Sequence, residues 1–309
     1  MTELRFDDKV AVITGAGGGL GACHARLLAS RGCKVLVNDP GVNTSGSPLD
    51  PSMAAQVVAA ITDAGGTAVA DTNSVLGGAA DIVAHALDEF GRLDILVNNA
   101  GLSGGGALDE MPVDDWDRIF DTHLRGTVAV TRAAWPHLKA ADDARVVMTS
   151  SASVFGTPFT SPYVTGKAAI FGFSRAMAHE GRYSGIGVNA IMPAAYTRMT
   201  AQLPMEDFRN LLETWFPPEQ VSPFVAYLCH EACTISGETF SVGGGRAARV
   251  VLGECVGVIG TSPDDYVGRD ADLLSLDGWE LPVDMTDEVR VSVDHLAPEA
   301  AAAFRAIKF

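Results

Sequence analysis

The sequence predicts an α/β fold in which helices cover both faces of a doubly wound, mainly parallel sheet. Short runs rich in β-branched residues alternate with longer stretches of helical pattern from residue 10 to residue 101. This alternation is typical of consecutive βαβ units, whose crossovers are right-handed. The strand runs are almost entirely apolar, as expected for a sheet that is buried on both faces. The 309 residues, 47% of them apolar, are enough for one large domain with an appendage.

Each predicted element follows from a local pattern along the chain. The first strands are KVAVIT, KVLVND, TAVAD and LDILVNN, and the helices between them are ARLLASRG, AAQVVAAITDAGG and ADIVAHALDEFG. PGVNTSGSPLDPS at residues 40–52 is rich in Pro, Gly and Ser, which indicates a surface loop. Later strands are ARVVMTS, IGVNAIM and TFSVGGG, and the helix YVTGKAAIFGFSRAMAHEG separates the first two of these. The sheet should therefore have about seven strands, in the range of doubly wound folds.

The pattern weakens after Arg246, near the C-terminus. From about Ser262 onward the chain has acidic residues, prolines and only short apolar runs. We therefore predict a single domain over residues 1–250 and a C-terminal extension over residues 251–309.

The charge of the chain narrows the classes of partner. With 22 basic and 38 acidic side chains the net charge is −16, which repels nucleic acid and anionic membranes and favours small-molecule partners. The longest apolar runs are far shorter than the ~18 to 20 residues of a membrane span, and the acidic N-terminus does not fit a signal peptide. The five cysteines are scattered and odd in number, so a disulfide framework is not expected. We expect a cytoplasmic protein.

A glycine-rich segment follows the first predicted strand. In KVAVITGAGGGLGACHARLLA a strand, a loop and an amphipathic helix come in immediate succession. Gly15, Gly19 and Gly21 allow a tight turn, close backbone approach to a pyrophosphate, and close packing of the helix, whose N-terminus offers free N–H groups. Because the loop opens the first βαβ unit, it predicts a Rossmann-type dinucleotide site rather than a flexible turn.

Asp39 ends the second predicted strand, at the distance from the glycine loop where a carboxylate accepts hydrogen bonds from the adenosine ribose. The same carboxylate repels a 2′-phosphate. Gly17, Gly18, Pro40 and Gly41 carry no basic side chain that could bind such a phosphate. We therefore predict NAD rather than NADP as the cofactor. Without the glycine loop, Asp39 would be interpreted as an ordinary turn residue.

Three motifs occur in order, namely Thr14-Gly15-x3-Gly19-x-Gly21, the NNAG turn at residues 98–101, and Tyr163-x3-Lys167. Over roughly residues 8–245 this combination resembles the short-chain dehydrogenase/reductase family. Longer stretches, among them VLVNDPG, RVVMTSSAS and AYLCHEACTISGETFSVGGG, resemble the dehydrogenase unit of the multifunctional β-oxidation proteins that oxidise (3R)-hydroxyacyl-CoA. The resemblance implies reversible hydride transfer between NAD and a secondary alcohol or ketone.

The resemblance gives three side chains catalytic roles on helices. Tyr163 would exchange the proton with the substrate oxygen, and Lys167 would bind the nicotinamide ribose and favour the phenolate. A cation ~4 Å from a phenol, at an effective dielectric near ~20, lowers its pKa by at most ~3 units, from about 10 towards 7. His123 stands where the family has the asparagine of its tetrad, and an imidazole can also donate and accept protons in a relay.

The serine of the catalytic set has two candidates. The strand RVVMTSSAS aligns Ser151 with the serine that orients the reacting oxygen in the family. Its separation from Tyr163 is one residue shorter than usual, whereas Ser150 has the usual separation. We prefer Ser151 because the loop VFGTPFTSP can absorb a one-residue deletion, and Ser150 stays open as the alternative.

Further cofactor contacts are implied by the resemblance. Asn73 would accept a hydrogen bond from the adenine amino group through its carbonyl oxygen. Thr197 would bind the nicotinamide carboxamide, in a loop that begins with Pro193-Ala194 where the family has Pro-Gly. No metal is required. The full predicted set is Gly15, Gly18, Gly19, Leu20, Gly21, Asp39, Asn73, Ser74, Asn99, Ala100, Gly101, Tyr163, Lys167, Pro193 and Thr197.

The substrate implied by the resemblance is a 3-hydroxyacyl-CoA. Its phosphates would need a local basic patch, with Arg198 or Arg246 as candidates. The alternatives are a hydroxysteroid or another bulky alcohol, a 3-oxoacyl reductase reaction, and a nucleotide-binding scaffold without turnover. The Ser/Tyr/Lys set argues against the scaffold, because binding alone needs no proton chemistry. The family also implies a homodimer or a homotetramer.

Overall fold

A single sheet organises the first part of the chain. The computed structural model describes residues 3–296, and within them eight strands follow the order β3-β2-β1-β4-β5-β6-β7-β8. All pairs from β1 to β7 are parallel, so the predicted doubly wound, mainly parallel sheet is confirmed. The strands are β1 (Val10–Thr14), β2 (Lys34–Asn38), β3 (Thr67–Asp71), β4 (Ile95–Asn98), β5 (Arg145–Thr149), β6 (Gly187–Pro193), β7 (Thr239–Gly243) and β8 (Arg246–Val250).

Helices cover both faces of the sheet because successive strand residues point to opposite sides. Ala11 and Ile13 belong to one apolar cluster with residues of α1, α2 and α7, whereas Val12 belongs to a second cluster with residues of α3, α4 and α5. The helices are α1 (Gly19–Ser30), α2 (Met53–Asp63), α3 (Ala79–Phe90), α4 (Val113–Leu138), α5 (Ser161–Gly181), α6 (Glu206–Trp215), α7 (Ser222–Cys229), α8 (Asp270–Leu273) and α9 (Met285–Leu296). Among the described residues, no helix is long and apolar enough to cross a bilayer.

The strand order reverses beside β1, which pairs with β2 on one side and with β4 on the other. The connections that leave β1 and β4 therefore diverge to opposite faces and open a crevice at their carboxyl ends. Dinucleotides bind at this point in doubly wound folds. The glycine loop, Asp39 and the NNAG turn all follow strands that end at this edge.

The sheet has one strand more than the sequence predicted. RAARV forms β8, but its side chains are exposed or half-buried and it lacks the apolar run that marked the other strands. The chain divides into two compact units, Met1–Arg249 and Val250–Phe309. In the second unit Arg290 of α9 forms ion pairs with Glu280, Asp287 and Asp294 at 2.6 to 3.0 Å. Residues 297–309 of the predicted extension lie outside the described residues.

Candidate active site

The glycine loop is shaped by close approach to the NNAG turn. Gly15 has φ +63°, a conformation that favours glycine, and a Cβ atom there would lie 2.8 Å from Ala100 Cα. A Cβ atom on Gly21 would lie 2.5 Å from the Gly15 carbonyl oxygen and 2.6 Å from Asn99 Nδ2. Side chains at these positions would therefore push the loop away from β4.

Asn99 fixes that loop through its side-chain amide. Its Nδ2 donates to the backbone carbonyls of Thr14 and Gly15, both at 3.0 Å. In return, the Thr14 hydroxyl accepts hydrogen bonds from the backbone N–H groups of Asn99 and Ala100 at 3.1 and 3.0 Å. The carboxyl ends of β1 and β4 are thus joined by four hydrogen bonds.

Asp39 lies against the same loop. Its Oδ2 accepts from the backbone N–H of Gly17 at 2.9 Å, and its Oδ1 accepts from that of Gly41 at 2.8 Å. The residue is buried, with 6% of its surface exposed. Each carboxylate oxygen retains a further lone pair, so the group can also accept hydrogen bonds from ribose hydroxyls.

The next strand end carries a polar cluster around Asp71. Asp71 accepts hydrogen bonds from Nδ2 of Asn38 at 2.7 Å and of Asn73 at 2.9 Å, and it pairs with Nδ1 of His85 at 2.9 Å. Because a carboxylate only accepts, the Asn73 amide nitrogen is fixed towards Asp71 and its carbonyl oxygen points away. That oxygen is the acceptor that an adenine amino group requires. The Ser74 hydroxyl accepts from the Leu76 backbone N–H at 3.2 Å.

The two candidate serines follow β5 and face different partners. Ser150 is buried, and its hydroxyl donates to the backbone carbonyl of Lys167 at 2.8 Å. Ser151 is half-buried, and its hydroxyl lies close enough to the Tyr163 phenol to lower the pKa of that group. Ser151 also accepts from the Ser153 backbone N–H at 3.1 Å, which holds it at the start of a short 3₁₀ turn. The structure therefore brings Ser151, and not Ser150, to Tyr163.

Lys167 lies one helical turn after Tyr163 in α5, and it is buried. Its Nζ donates to the Thr149 carbonyl at 2.6 Å and lies 5.8 Å from the centre of the Tyr163 ring. Burial lowers the pKa of Lys167 to about 7, because the charged form loses its hydration. Burial also raises the pKa of Tyr163 above its usual value.

His123 of α4 packs against Tyr163. Its ring meets that of Tyr163 edge-on, with centroids 5.0 Å apart and an angle of 89°. Its Nε2 bonds to the Leu102 carbonyl at 2.7 Å, whereas its buried Nδ1 has no partner among the described residues. Burial and the nearby charge of Lys167 hold the pKa of His123 well below its usual value. The imidazole is therefore neutral, with Nε2 as the donor and Nδ1 as a free acceptor.

The loop after β6 returns to the glycine loop. The Thr197 side chain lies 3.7 Å from where a Cβ atom on Gly19 would be, and its backbone N–H donates to the Thr200 hydroxyl at 2.7 Å. Pro193 ends β6, and Ala194, where the family has glycine, donates its backbone N–H to Val242 at 2.8 Å. Alanine at this position is compatible with the approach of Thr197 to the loop.

Comparison with known proteins agrees with this geometry. The sequence pattern of the short chain dehydrogenase family matches residues 9–207. The chain belongs to the short-chain dehydrogenase family. It is 42% identical over 259 residues to peroxisomal multifunctional enzyme type 2 of Mus musculus. The aligned region covers 84% of this chain but only 35% of that protein. The chain thus spans about a third of that relative, and both the family resemblance and the likeness to the multifunctional enzymes are confirmed.

Two solved structures have the same fold. Full-length peroxisomal multifunctional enzyme type 2 of Drosophila melanogaster has a TM-score of 0.78 and 29% identity, over 96% of this chain and 51% of that one. A short chain dehydrogenase from Mycobacterium paratuberculosis bound to NAD has a TM-score of 0.69 and 25% identity, over 78% of this chain and 98% of that one. Both solved structures thus agree with the family assignment.

One expectation about the dehydrogenase site was wrong. Lys167 does not bring the phenol of Tyr163 towards neutrality, because burial penalises both charged forms and Lys167 itself titrates at about 7. Its Nζ is directed at the Thr149 carbonyl rather than at the phenol oxygen. Spacing along a helix predicts a shared face, but it does not report how deeply that face is buried.

Sequence reasoning also missed several residues of this dehydrogenase site. Asp71 and Asn38 orient Asn73, and both are polar residues at the ends of buried strands, a signal that was present in the sequence. Thr149 supplies the carbonyl that binds Lys167. That contact had no signal in the sequence, because it uses a backbone atom.

Proposed function

We propose that the protein is an NAD-dependent dehydrogenase that oxidises a secondary alcohol, with a 3-hydroxyacyl-CoA as the substrate. The observation that carries the proposal is the contact between the Ser151 hydroxyl and the Tyr163 phenol, which lowers the pKa of the phenol. It joins a proton-transfer group to a group that orients an oxygen, at the sheet edge where the nucleotide crevice opens. A nucleotide-binding scaffold does not need this pair.

The residues present fit NAD. The glycine loop already has its turn, Asp39 offers free lone pairs for ribose hydroxyls, and the Asn73 carbonyl is oriented outward. Lys167, Thr197 and the backbone of the NNAG turn complete the predicted cofactor contacts. When bound, NAD supplies the hydride acceptor. The carboxylate of Asp39 disfavours a 2′-phosphate, which is why we propose NAD rather than NADP.

The side chains of Ser151, Tyr163 and His123 would carry out the proton transfer. Ser151 orients the substrate oxygen, and Tyr163 takes the hydroxyl proton during oxidation or returns it during reduction. Because the pKa of Tyr163 is raised, the phenol is protonated at neutral pH, and oxidation should accelerate as the pH increases. The neutral His123 beside Tyr163 keeps Nδ1 as an acceptor, so we propose that it receives or relays a proton there.

The acyl-CoA substrate is supported by the likeness to the multifunctional enzymes. The loop after the NNAG turn and the first turn of α4 also line a cavity of about 350 Å³, which includes Ser103, Arg118 and Ile119. This volume lies at the lower end of the range for small-molecule sites, so the cavity can hold part of a large substrate. A hydroxysteroid is the second candidate, and a 3-oxoacyl reductase would run the same chemistry in the opposite direction. We also propose a homodimer or homotetramer, following the family.

The test is NADH formation by the wild type and by Tyr163→Phe with a panel of 3-hydroxyacyl-CoA esters and hydroxysteroids. Wild type should turn over the acyl-CoA esters, and Tyr163→Phe should be slower by about 10²- to 10⁴-fold, because it loses the acid/base. Tyr183→Phe is the matched control, since Tyr183 is 93% exposed. Equal rates for wild type and Tyr163→Phe would refute the catalytic assignment. NAD binding without turnover of any alcohol would favour the scaffold.

A further inference from the structure

Arg198 reaches the glycine loop from the distant loop after β6. A Cβ atom on Gly18 would lie 3.2 Å from Nη2 and 3.6 Å from Cζ of Arg198. A Cβ atom on the preceding Gly17 would lie 2.8 Å from Cγ of Asp39. A guanidinium and a carboxylate therefore flank two adjacent glycines of the same loop. The residues that neighbour the glycine loop in sequence did not predict that the Arg198 guanidinium lies beside it.

The guanidinium is held in place without a counter-ion. Nη1 of Arg198 donates to the thioether sulfur of Met53, the first residue of α2, at 3.7 Å. A thioether is a weak, uncharged acceptor. Within residues 3–296, Arg198 has no carboxylate within 4.0 Å, although the chain carries a net charge of −16. Its charge is therefore available to an anion that enters above the loop.

Local hydrogen bonds fix the backbone from which Arg198 extends. The Thr200 hydroxyl accepts from the Thr197 backbone N–H at 2.7 Å and donates to the Ala195 carbonyl at 3.0 Å. These bonds close the turn on either side of Arg198. The adjacent Thr197 side chain faces Gly19, so two consecutive residues of this turn lie over two consecutive glycines.

We propose that Arg198 binds the pyrophosphate of the dinucleotide cofactor and closes the phosphate site from the side opposite the glycine loop. The proposal rests on the proposed NAD site. A guanidinium forms paired hydrogen bonds with phosphate oxygens. The backbone N–H groups of the glycine loop would bind the same phosphates from the opposite side. Arg198 thus belongs to the cofactor site and not to a patch for the CoA phosphates.

A 2′-phosphate on the adenosine ribose offers the same chemistry as the pyrophosphate. Asp39 decides between them, because its carboxylate lies at Gly17, where the ribose is expected, and would repel a 2′-phosphate. The pyrophosphate would be held further along the loop, by Gly19 and the start of α1. Ligands that carry the pyrophosphate with and without the 2′-phosphate therefore separate the two sources.

The experiment measures binding of adenosine, ADP-ribose and 2′-phospho-ADP-ribose by calorimetry to the full-length wild type, Arg198→Ala, Arg198→Lys and Arg26→Ala. Arg198→Ala should weaken ADP-ribose about 10- to 100-fold, the range for a hydrogen bond to a charged group, and change adenosine less than about twofold. Arg198→Lys should recover part of the loss, because it keeps the charge without the fork. Arg26 is an exposed residue of α1, and its variant should match wild type.

Kinetics add a measurement that a purely structural role would not produce. Arg198→Ala should raise the KM for NAD by a similar factor and leave kcat within about threefold, because the lost contact is present before and during the reaction. Unchanged ADP-ribose affinity in Arg198→Ala would overturn the proposal, as would a loss confined to 2′-phospho-ADP-ribose. If the wild type itself bound neither ADP-ribose nor NAD, the proposed function would fail first. Normal wild-type binding with an unaffected variant would overturn the role of Arg198 alone.

Discussion

The nucleotide half and the catalytic half of the site use hydrogen bonds in opposite ways. In the proposed nucleotide half, Asn99 and Asp39 bond to the backbone of the glycine loop, and the Thr14 hydroxyl bonds to the backbone of the NNAG turn. In the proposed catalytic half, the buried Thr149 hydroxyl and His123 Nδ1 lack partners among the described residues, and Lys167 and Tyr163 have shifted pKa values. The glycine loop is therefore held by bonds within the chain, whereas the surroundings of Tyr163 include polar atoms without partners among the described residues.

This difference predicts that changes in the two halves will affect different quantities. Variants of the catalytic half should lower the rate while preserving, or even increasing, stability. Variants of the nucleotide half should lower stability or alter the choice of cofactor.

The largest expected effect separates the two serines. Ser151→Ala should lower kcat by about 10²-fold or more, because the oxygen of the substrate loses its orienting partner. Ser150→Ala removes only a bond to the Lys167 carbonyl, so its kcat should stay within about tenfold of wild type. Steady-state kinetics of both variants, with thermal unfolding as a control for folding, provide the measurement. A larger loss in Ser150→Ala would reverse the assignment.

A second effect concerns stability and pH. Burial lowers the pKa of Lys167 from 10.5 to about 7 in the folded protein. Because the unfolded chain then binds more protons, the charged lysine lowers the free energy of unfolding by its full amount below pH 7, and this cost disappears as the pH rises towards 10.5. Wild type should therefore gain stability relative to Lys167→Met by up to about 1.4 kcal/mol per pH unit between pH 7 and 10. Urea unfolding of both proteins at pH 7, 8 and 9 tests this slope. If the free energies of unfolding of the two proteins changed equally with pH, the pKa of Lys167 would not be lowered by burial.

A third, smaller effect is expected in the nucleotide half. Asn99→Ala removes both donors to the carbonyls of Thr14 and Gly15 and should lower the free energy of unfolding by about 1 to 3 kcal/mol. Chemical denaturation is the measurement, with the exposed Asn210→Ala as the control. If Asn99→Ala unfolded like wild type, the loop would not depend on the NNAG turn.

The smallest effect concerns cofactor choice. Asp39→Ser removes the negative charge beside Gly17 and should shift the ratio of kcat/KM for NADP to that for NAD upward by about tenfold, or ~1.4 kcal/mol. Glu3→Ser, at an exposed position, is the control for the loss of one charge. An unchanged ratio would mean that Asp39 does not discriminate between the cofactors.

The sequence predicted the parts of this molecule that depend on local pattern. Apolar runs located β1 to β7, and the order of three motifs located the glycine loop, the NNAG turn and Tyr163. β8 was missed because RAARV has no apolar run. Arg198 was named only as a candidate for the CoA phosphates, because its contact with Gly18 joins distant parts of the chain. The pKa of Tyr163 was predicted in the wrong direction because burial arises only when α5 packs against its neighbours. Motifs of neighbouring residues can be predicted from the sequence, whereas desolvation and contacts between distant residues depend on the folded structure.

The hydrogen bonds between Thr14 and Asn99 also set an order of events during synthesis. The glycine loop leaves the ribosome early, but its carbonyls cannot be bonded by Asn99 until β4 has emerged and docked beside β1. A nascent chain that ends before residue 95 would therefore contain the complete glycine motif and yet lack a formed phosphate cradle. In chains of increasing length, nucleotide affinity should appear only once the NNAG turn is present. Nucleotide binding would therefore report the docking of β4 beside β1.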